Sequence, residues 1–154
     1  MTRAAFQVLV IPFELRMRER PRYLLFRRSD SDVWQWISGG GENNEAPEQA
    51  ARREAFEEAG IPKDASQIHL DSKSSIPAIH FADRRLWGSD VFVIPEFSFG
   101  VEVQSEEICL SAEHTACEWL EYEEAWTRLQ WESNRIALWE FHTRLKFVTS
   151  DRIP

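Results

Sequence analysis

Residues 39–61 read GGGENNEAPEQAARREAFEEAGI, and this stretch decides the fold. Its second part predicts a helix over Glu45 to Ala59. Pro47 stands where a first-turn proline is tolerated, alanines fill the middle, and Gly60 is placed as the C-terminal stop. Glu54, Glu57 and Glu58 are spaced i, i+3, i+4, so a helix puts all three carboxylates on one face. Like charges that close repel one another and raise each other's pKa, an arrangement that makes sense once a cation is held between them. Oxygen-only donors favour Mg2+ or Mn2+ over zinc, and Mg2+ keeps several waters while bridging to phosphates. Such a cluster neutralises phosphate oxygens and readies a water for in-line attack. The glycines ahead of the helix allow a sharp turn that brings a carbonyl, that of Gly39, toward the metal. Arg53 is placed to pair with Glu45 and hold this loop against the helix. Three glutamates alone would read as a solvated acidic face; with Gly39, Glu45, Arg53 and Gly60 in register, the catalytic reading prevails.

Working outward, Phe6 to Phe13 is apolar and partly β-branched, as in a buried strand. Tyr23 to Phe26 is a second short strand, closed by Arg27-Arg28 and a turn over Ser29 to Asp32. Trp34 to Ser38 predicts another strand, ended by the three glycines. Gln67 to Ile79 and Val91 to Phe99 follow as strands, Pro95 marking the second as an edge or a bulge. Between them Arg84, Arg85 and Trp87 read as part of a solvated connection. Cys117 to Leu120 is a last strand. Helices follow over Tyr122 to Leu129 and Ser133 to Val148, where Leu138, Phe141, Leu145 and Val148 recur at helical spacing. Strands interleaved with helices on one sheet imply an α/β fold, an α/β/α sandwich.

The 154 residues suit a single domain, taken as 1–154. A net charge of -8 argues against a nucleic-acid face and would repel free polyphosphate, so phosphate chemistry here needs metal ions or a local basic pocket. No apolar run approaches the roughly 20 residues of a membrane span. Cys109 and Cys117 are too few for a disulfide framework, and two reduced thiols fit a cytoplasmic location. The N-terminus, with one basic residue running into a strand, is not expected to be a signal peptide.

The pattern of Gly39, Glu45, Arg53, Glu54, Glu57, Glu58, Gly60 and Ile61 resembles the Nudix hydrolase family at every fixed position, with only Ala55 smaller than the usual hydrophobic residue. The resemblance implies a Nudix-type α/β/α sandwich with a mixed β-sheet and a Mg2+-dependent pyrophosphohydrolase, with Mn2+ as substitute. It implies that Gly39, Glu54, Glu57 and Glu58 hold the metal, joined by a glutamate outside the box, for which Glu113 is the best candidate. Either Glu54 or Glu113 would be the general base, an assignment that coupled carboxylates leave open. Three flanking segments are similar to the bacterial dihydroneopterin triphosphate pyrophosphohydrolase subfamily: Arg27 to Gly39, Glu113 to Leu120, and Trp131 to Arg135. By that likeness Arg27, Arg28, Trp34, Ser38, Ser133 and Asn134 are candidates for substrate binding. Each also has a plain structural alternative: solvated arginines, a strand-end hydroxyl, a helix N-cap. Trp34 and Trp36 are expected on opposite faces, one against a ring and one in the core. The expected substrate is a nucleoside or pterin triphosphate, acted on by a monomer or homodimer without nucleic acid or membrane. The competing expectations are a dinucleoside polyphosphate or nucleotide-sugar hydrolase, because residues 67–99 match poorly, and a non-catalytic nucleotide-sensing domain, disfavoured because no box glutamate is lost.

Overall fold

The computed structural model describes residues 2–104, 108 and 111–150. The apolar run near the N-terminus becomes the long strand β1 (Arg3–Glu14), the strand that organises the sheet. Along one side it runs parallel to β6 (Val93–Glu102), from Gln7 opposite Glu96 to Phe13 opposite Glu102. Along the other it is antiparallel to β4 (Ile37–Glu42). β6 carries β5 (Gln67–Pro77) antiparallel on its far side. At the far end of β1, Phe13 and Glu14 pair with Tyr23 and Arg22 of β2 (Arg22–Arg28). β2 then pairs with β3 (Trp34–Gln35) and with β7 (His114–Leu120). The chain from Trp34 to Glu42 thus pairs first with β2 and then with β1. One parallel pair in an otherwise antiparallel set makes this a mixed sheet of seven strands.

Alternation along β1 divides the core in two. Val8 and Val10 join Leu24, Phe26 and Ile37 against Ala50, Ala51, Ala55 and Ala59 of α1 (Pro47–Ala59). Small alanines let α1 lie close to the strands, so the short residue at position 55 is a packing choice. Leu9, Ile11 and Phe13 join Tyr23, Leu25 and Trp36 on the other face. There they meet Ala125 of α2 (Tyr122–Arg128) and Leu138, Phe141 and Leu145 of α3 (Glu132–Ser150). Helices on both faces give the expected α/β/α sandwich. Val148 and Cys109 lie outside the described side chains, and Cys117 is a free, half-buried thiol. Among the described residues, no helix is long and apolar enough to cross a membrane.

Four local expectations need correction. The glycines do not end a strand; Gly39, Gly40 and Gly41 lie inside β4. A Cβ there would collide with Glu54, Arg3 and Phe6 respectively, so glycine lets those side chains cross the strand. Pro95 does not make β6 an edge strand, because from Glu96 onward β6 is paired on both sides. It opposes Ser75 of β5, while pairing to β1 starts only at Glu96, so the missing N–H breaks no ladder bond on that side. Trp34 and Trp36 do not point to opposite faces: residues two apart in extended chain share a face, and Trp34 packs against the same core that buries Trp36. Finally, the connection after β5 is not wholly solvated. It forms 3-10 turns at Ala78–His80 and Ala82–Leu86, and Trp87 Nε1 donates to the Arg3 carbonyl at 2.8 Å.

Candidate active site

Arg53 is the hub of the acidic helix. Its Nε and Nη2 donate to the Glu45 carboxylate at 2.7 and 3.0 Å, and Nη2 also reaches the Gly40 carbonyl at 2.8 Å. Nη1 donates to Glu54 at 3.0 Å and Glu57 at 3.2 Å. One side chain thereby ties the β4–α1 loop to two of the three glutamates. Glu45 completes the loop by accepting the Glu42 N–H at 2.9 Å, which is why α1 starts at Pro47 and not at Glu45. At the other end Gly60 adopts φ 70°, the left-handed geometry that a glycine supplies without strain.

The three glutamates differ in setting. Glu54 and Glu58 are 9% and 4% exposed, whereas Glu57 faces solvent. Burial, then the charges of Glu54 and Glu113, push the Glu58 carboxyl up to about 9. Burial also raises Glu54, against the opposing pull of Arg53. Glu58 Oε2 is buried without a hydrogen-bond partner, with His114 Nε2 3.6 Å away. That imidazole, its pKa lowered by burial, is no substitute cation. Glu113 sits in an exposed turn held to the site by two backbone bonds, Ser29 N–H to the Glu113 carbonyl (2.9 Å) and Ser111 N–H to the Glu58 carbonyl (3.1 Å).

An orphaned buried carboxylate oxygen, like-charged neighbours and a strand stripped of Cβ above Glu54 together fit a divalent cation. Glu54, Glu57, Glu58, Glu113 and the Gly39 carbonyl are the groups that could hold it. Among the described residues no three His, Cys, Asp or Glu side chains are grouped closely enough to hold a metal ion by themselves. An open acidic pocket suits an ion that keeps its waters and takes further ligands from a phosphate.

On the α3 face of the sheet lies a cavity of about 600 Å³, within the range of small-molecule sites. Of the expected substrate residues, Arg28, Ser38, Ser133 and Asn134 line it. Gln7 Nε2 donates to Ser38 Oγ at 3.1 Å. Asn134 is a buried joint as well as a lining residue. Its Oδ1 accepts the Trp36 N–H at 3.1 Å, and its carbonyl accepts Trp36 Nε1 at 3.0 Å. Arg28 is held by a two-pronged pair to Asp30, both bonds 2.7 Å, and feels the charges of Glu113 and Glu58. It therefore connects the cavity to the acidic cluster.

Arg27 and Trp34 are not among the lining residues. Arg27 bonds Asp32, and Trp34 packs against the α2–α3 core beneath the Arg128 guanidinium, 5.1 Å from its ring centre. With Trp36 fully buried, neither strand tryptophan faces the cavity. The sequence reading passed over Gln7, Phe81 and Glu96, and it carried Gln35 and Trp131 only within the similar segments; all five line the cavity. A signal for one was present: Glu96 interrupts a largely apolar strand at an inward position.

A NUDIX domain profile matches residues 2–140. The chain is 32% identical over 120 residues to the dihydroneopterin triphosphate diphosphatase of Escherichia coli K12, covering 77% of this chain and 80% of that one. The structure of the E. coli dihydroneopterin triphosphate pyrophosphohydrolase superposes with a TM-score of 0.73 at 26% identity, over 93% of this chain and 98% of that one. A Listeria monocytogenes structure described as a Nudix hydrolase superposes with a TM-score of 0.83 at 39% identity, over 93% and 95% of the two chains.

Proposed function

The chain belongs to the Nudix family of hydrolases, and from that premise we propose that it cleaves a nucleoside or pterin triphosphate between the α and β phosphates. The products would be the monophosphate and pyrophosphate. The observation that carries this reading is Arg28, which lines the ring-sized cavity and feels the carboxylates of Glu58 and Glu113. A triphosphate extending from the cavity past Arg28 would bring its bridging oxygens to the acidic helix. The E. coli relatives, named for dihydroneopterin triphosphate, support the same class.

Glu54, Glu57, Glu58 and Glu113, with the Gly39 carbonyl, would hold Mg2+, or Mn2+ in its place. When bound, the cation neutralises phosphate oxygens and lowers the pKa of water. The chain's own groups do the rest. Arg28 offers charge-assisted bonds to phosphate in exchange for Asp30. Arg53 keeps Glu54 oriented from one side, and Gly39 leaves room for it on the other. Water attacks the α phosphorus as the bond to the bridging oxygen breaks, and Glu54 or Glu113 takes the water's proton. Ser38, Ser133 and Asn134 position the ring and sugar.

The test is a substrate panel of dATP, dihydroneopterin triphosphate, Ap4A and ADP-ribose with Mg2+, read by product analysis. Pyrophosphate release from the first two, with at most slow turnover of the others, is expected. Preferred cleavage of Ap4A or ADP-ribose would overturn the triphosphate assignment. Tight binding without turnover of any would point to a sensing domain.

A further inference from the structure

Glu96 is a carboxylate buried in the sheet. It is 5% exposed, yet among the described residues no Lys, Arg or His forms an ion pair with it. Such acids are seldom buried unless paired, because burial strips the charge of water. Its neighbours are hydroxyls: Ser74 Oγ donates to Oε1 at 3.2 Å, and Ser133 lies alongside. Burial raises its pKa and the two hydroxyls only partly offset this. It also stands apart from the acidic helix, since no α1 carboxylate is among the groups acting on it.

Its position is rigid. Glu96 faces Gln7 across the parallel β1–β6 pair and Ser74 across the antiparallel β5–β6 pair, so both sides of its backbone are held. Its side chain lines the same cavity as Arg28, together with the aromatic rings of Phe81 and Trp131, which suit a planar ligand. A fixed acceptor, aromatic walls and a cationic group toward the acid cluster are the parts of a ring-reading site.

We infer that Glu96 selects the heterocycle of the substrate, accepting two neighbouring N–H groups of a 2-amino-4-oxopyrimidine edge, as carried by guanine and by pterins. The inference rests on the triphosphate reading above and names the ring it takes. An ionised carboxylate offers acceptors only. The amino-oxo edge presents a ring N–H beside an amino N–H, so both oxygens are satisfied and the buried charge gains two donors. Adenine presents one amino donor beside a bare ring nitrogen, which would leave one oxygen against a lone pair. A site built for donor pairs rejects a ring lacking one of them, since its own polar group is left unpaired.

The experiment measures binding, not turnover: calorimetric titration of dGMP, 7,8-dihydroneopterin and dAMP into the full chain and into Glu96→Gln. The wild-type chain should bind dGMP about tenfold or more tightly than dAMP, the scale of one well-made bidentate contact. Gln pairs one donor with one acceptor, so Glu96→Gln should lose about tenfold for dGMP and dihydroneopterin and lose nothing for dAMP. Wild-type binding of dAMP as tight as both dGMP and dihydroneopterin overturns the proposal, and so does an equal loss for all three ligands or no loss for any. Glu96→Gln is nearly isosteric, its melting temperature checks the fold, and the wild-type ratio stands without it. If dGMP binds and dihydroneopterin does not, a guanine nucleotide is the ring source; the reverse names a pterin. A chain that reads guanine through Glu96 yet hydrolyses no triphosphate would sink the proposed activity and leave this inference standing.

Discussion

At the level of single residues the acidic site is a set of tight spatial exclusions. A methyl group on Gly39 would fall 2.0 Å from the Glu54 carboxyl carbon and 2.2 Å from Oε1. The obstructing atoms are the tip of a flexible side chain, so Gly39→Ala should leave the melting temperature almost unchanged while swinging Glu54 away. Loss of about a hundredfold or more in kcat is expected, the scale on which a 1 Å misplacement acts. A variant that turns over normally would mean that Glu54 need not sit under β4. Arg53→Ala should behave differently. It deprives Glu45, Glu54 and the Gly40 carbonyl of one shared donor, so chemical denaturation should show a loss of about 2–4 kcal/mol along with the loss of activity. These residues were legible in the sequence because their relations are local: a helix turn sets the glutamate spacing, and a short loop brings Arg53 back to Glu45. Glu96 was not, because its partners Gln7 and Ser74 arrive from strands far away in the chain.

Between elements, the joints decide what each buried polar residue does. Gly60 closes α1 at φ 70°, where any side chain is crowded, so Gly60→Ala should cost about 1–2 kcal/mol in urea denaturation. A smaller effect would mean that the helix end relaxes without loss. Asn134 joins the start of α3 to the break between β3 and β4 through its two bonds with Trp36. Asn134→Ala leaves the buried Trp36 N–H without an acceptor and should cost about 1–3 kcal/mol. The same substitution should raise KM less than it lowers stability, because the side-chain oxygen is already committed. Sequence spacing placed the three helices and most strands, since periodicity reports which faces are buried. It misjudged β4 because three glycines usually signal a turn, whereas here they thin a strand so that Arg3, Phe6 and Glu54 can cross it. Trp34 and Trp36 were misjudged because a strand alternates with a period of two, so positions two apart share a face, and both meet the same core.

For the molecule as a whole, the excess of negative charge and the split core state one problem. A chain of charge -8 keeps a buried acid cluster on the α1 side of its sheet and a lone buried acid on the α3 side. Each is costly when empty, and on the proposed reading a divalent cation would relieve the first and a donor-rich ring the second. Folding stability should therefore depend strongly on what is bound. A ligand at a hundred times its Kd adds about 2.7 kcal/mol, or about 5–10 °C in melting temperature for a chain of this size. Mg2+ added to EDTA-treated protein should raise the melting temperature on this scale, while K+ at equal ionic strength should not, since screening alone barely acts on buried groups. In Glu58→Gln the Mg2+ increment should shrink to about 2 °C or less, because the buried oxygen that lacks a partner has gone. In Glu96→Gln it should be unchanged, because Glu96 belongs to the other face. Equal increments in wild type and Glu58→Gln would place the cation away from α1. An increment lost in Glu96→Gln would mean that the two faces share one ligand, and the division of labour across the sheet would have to be redrawn.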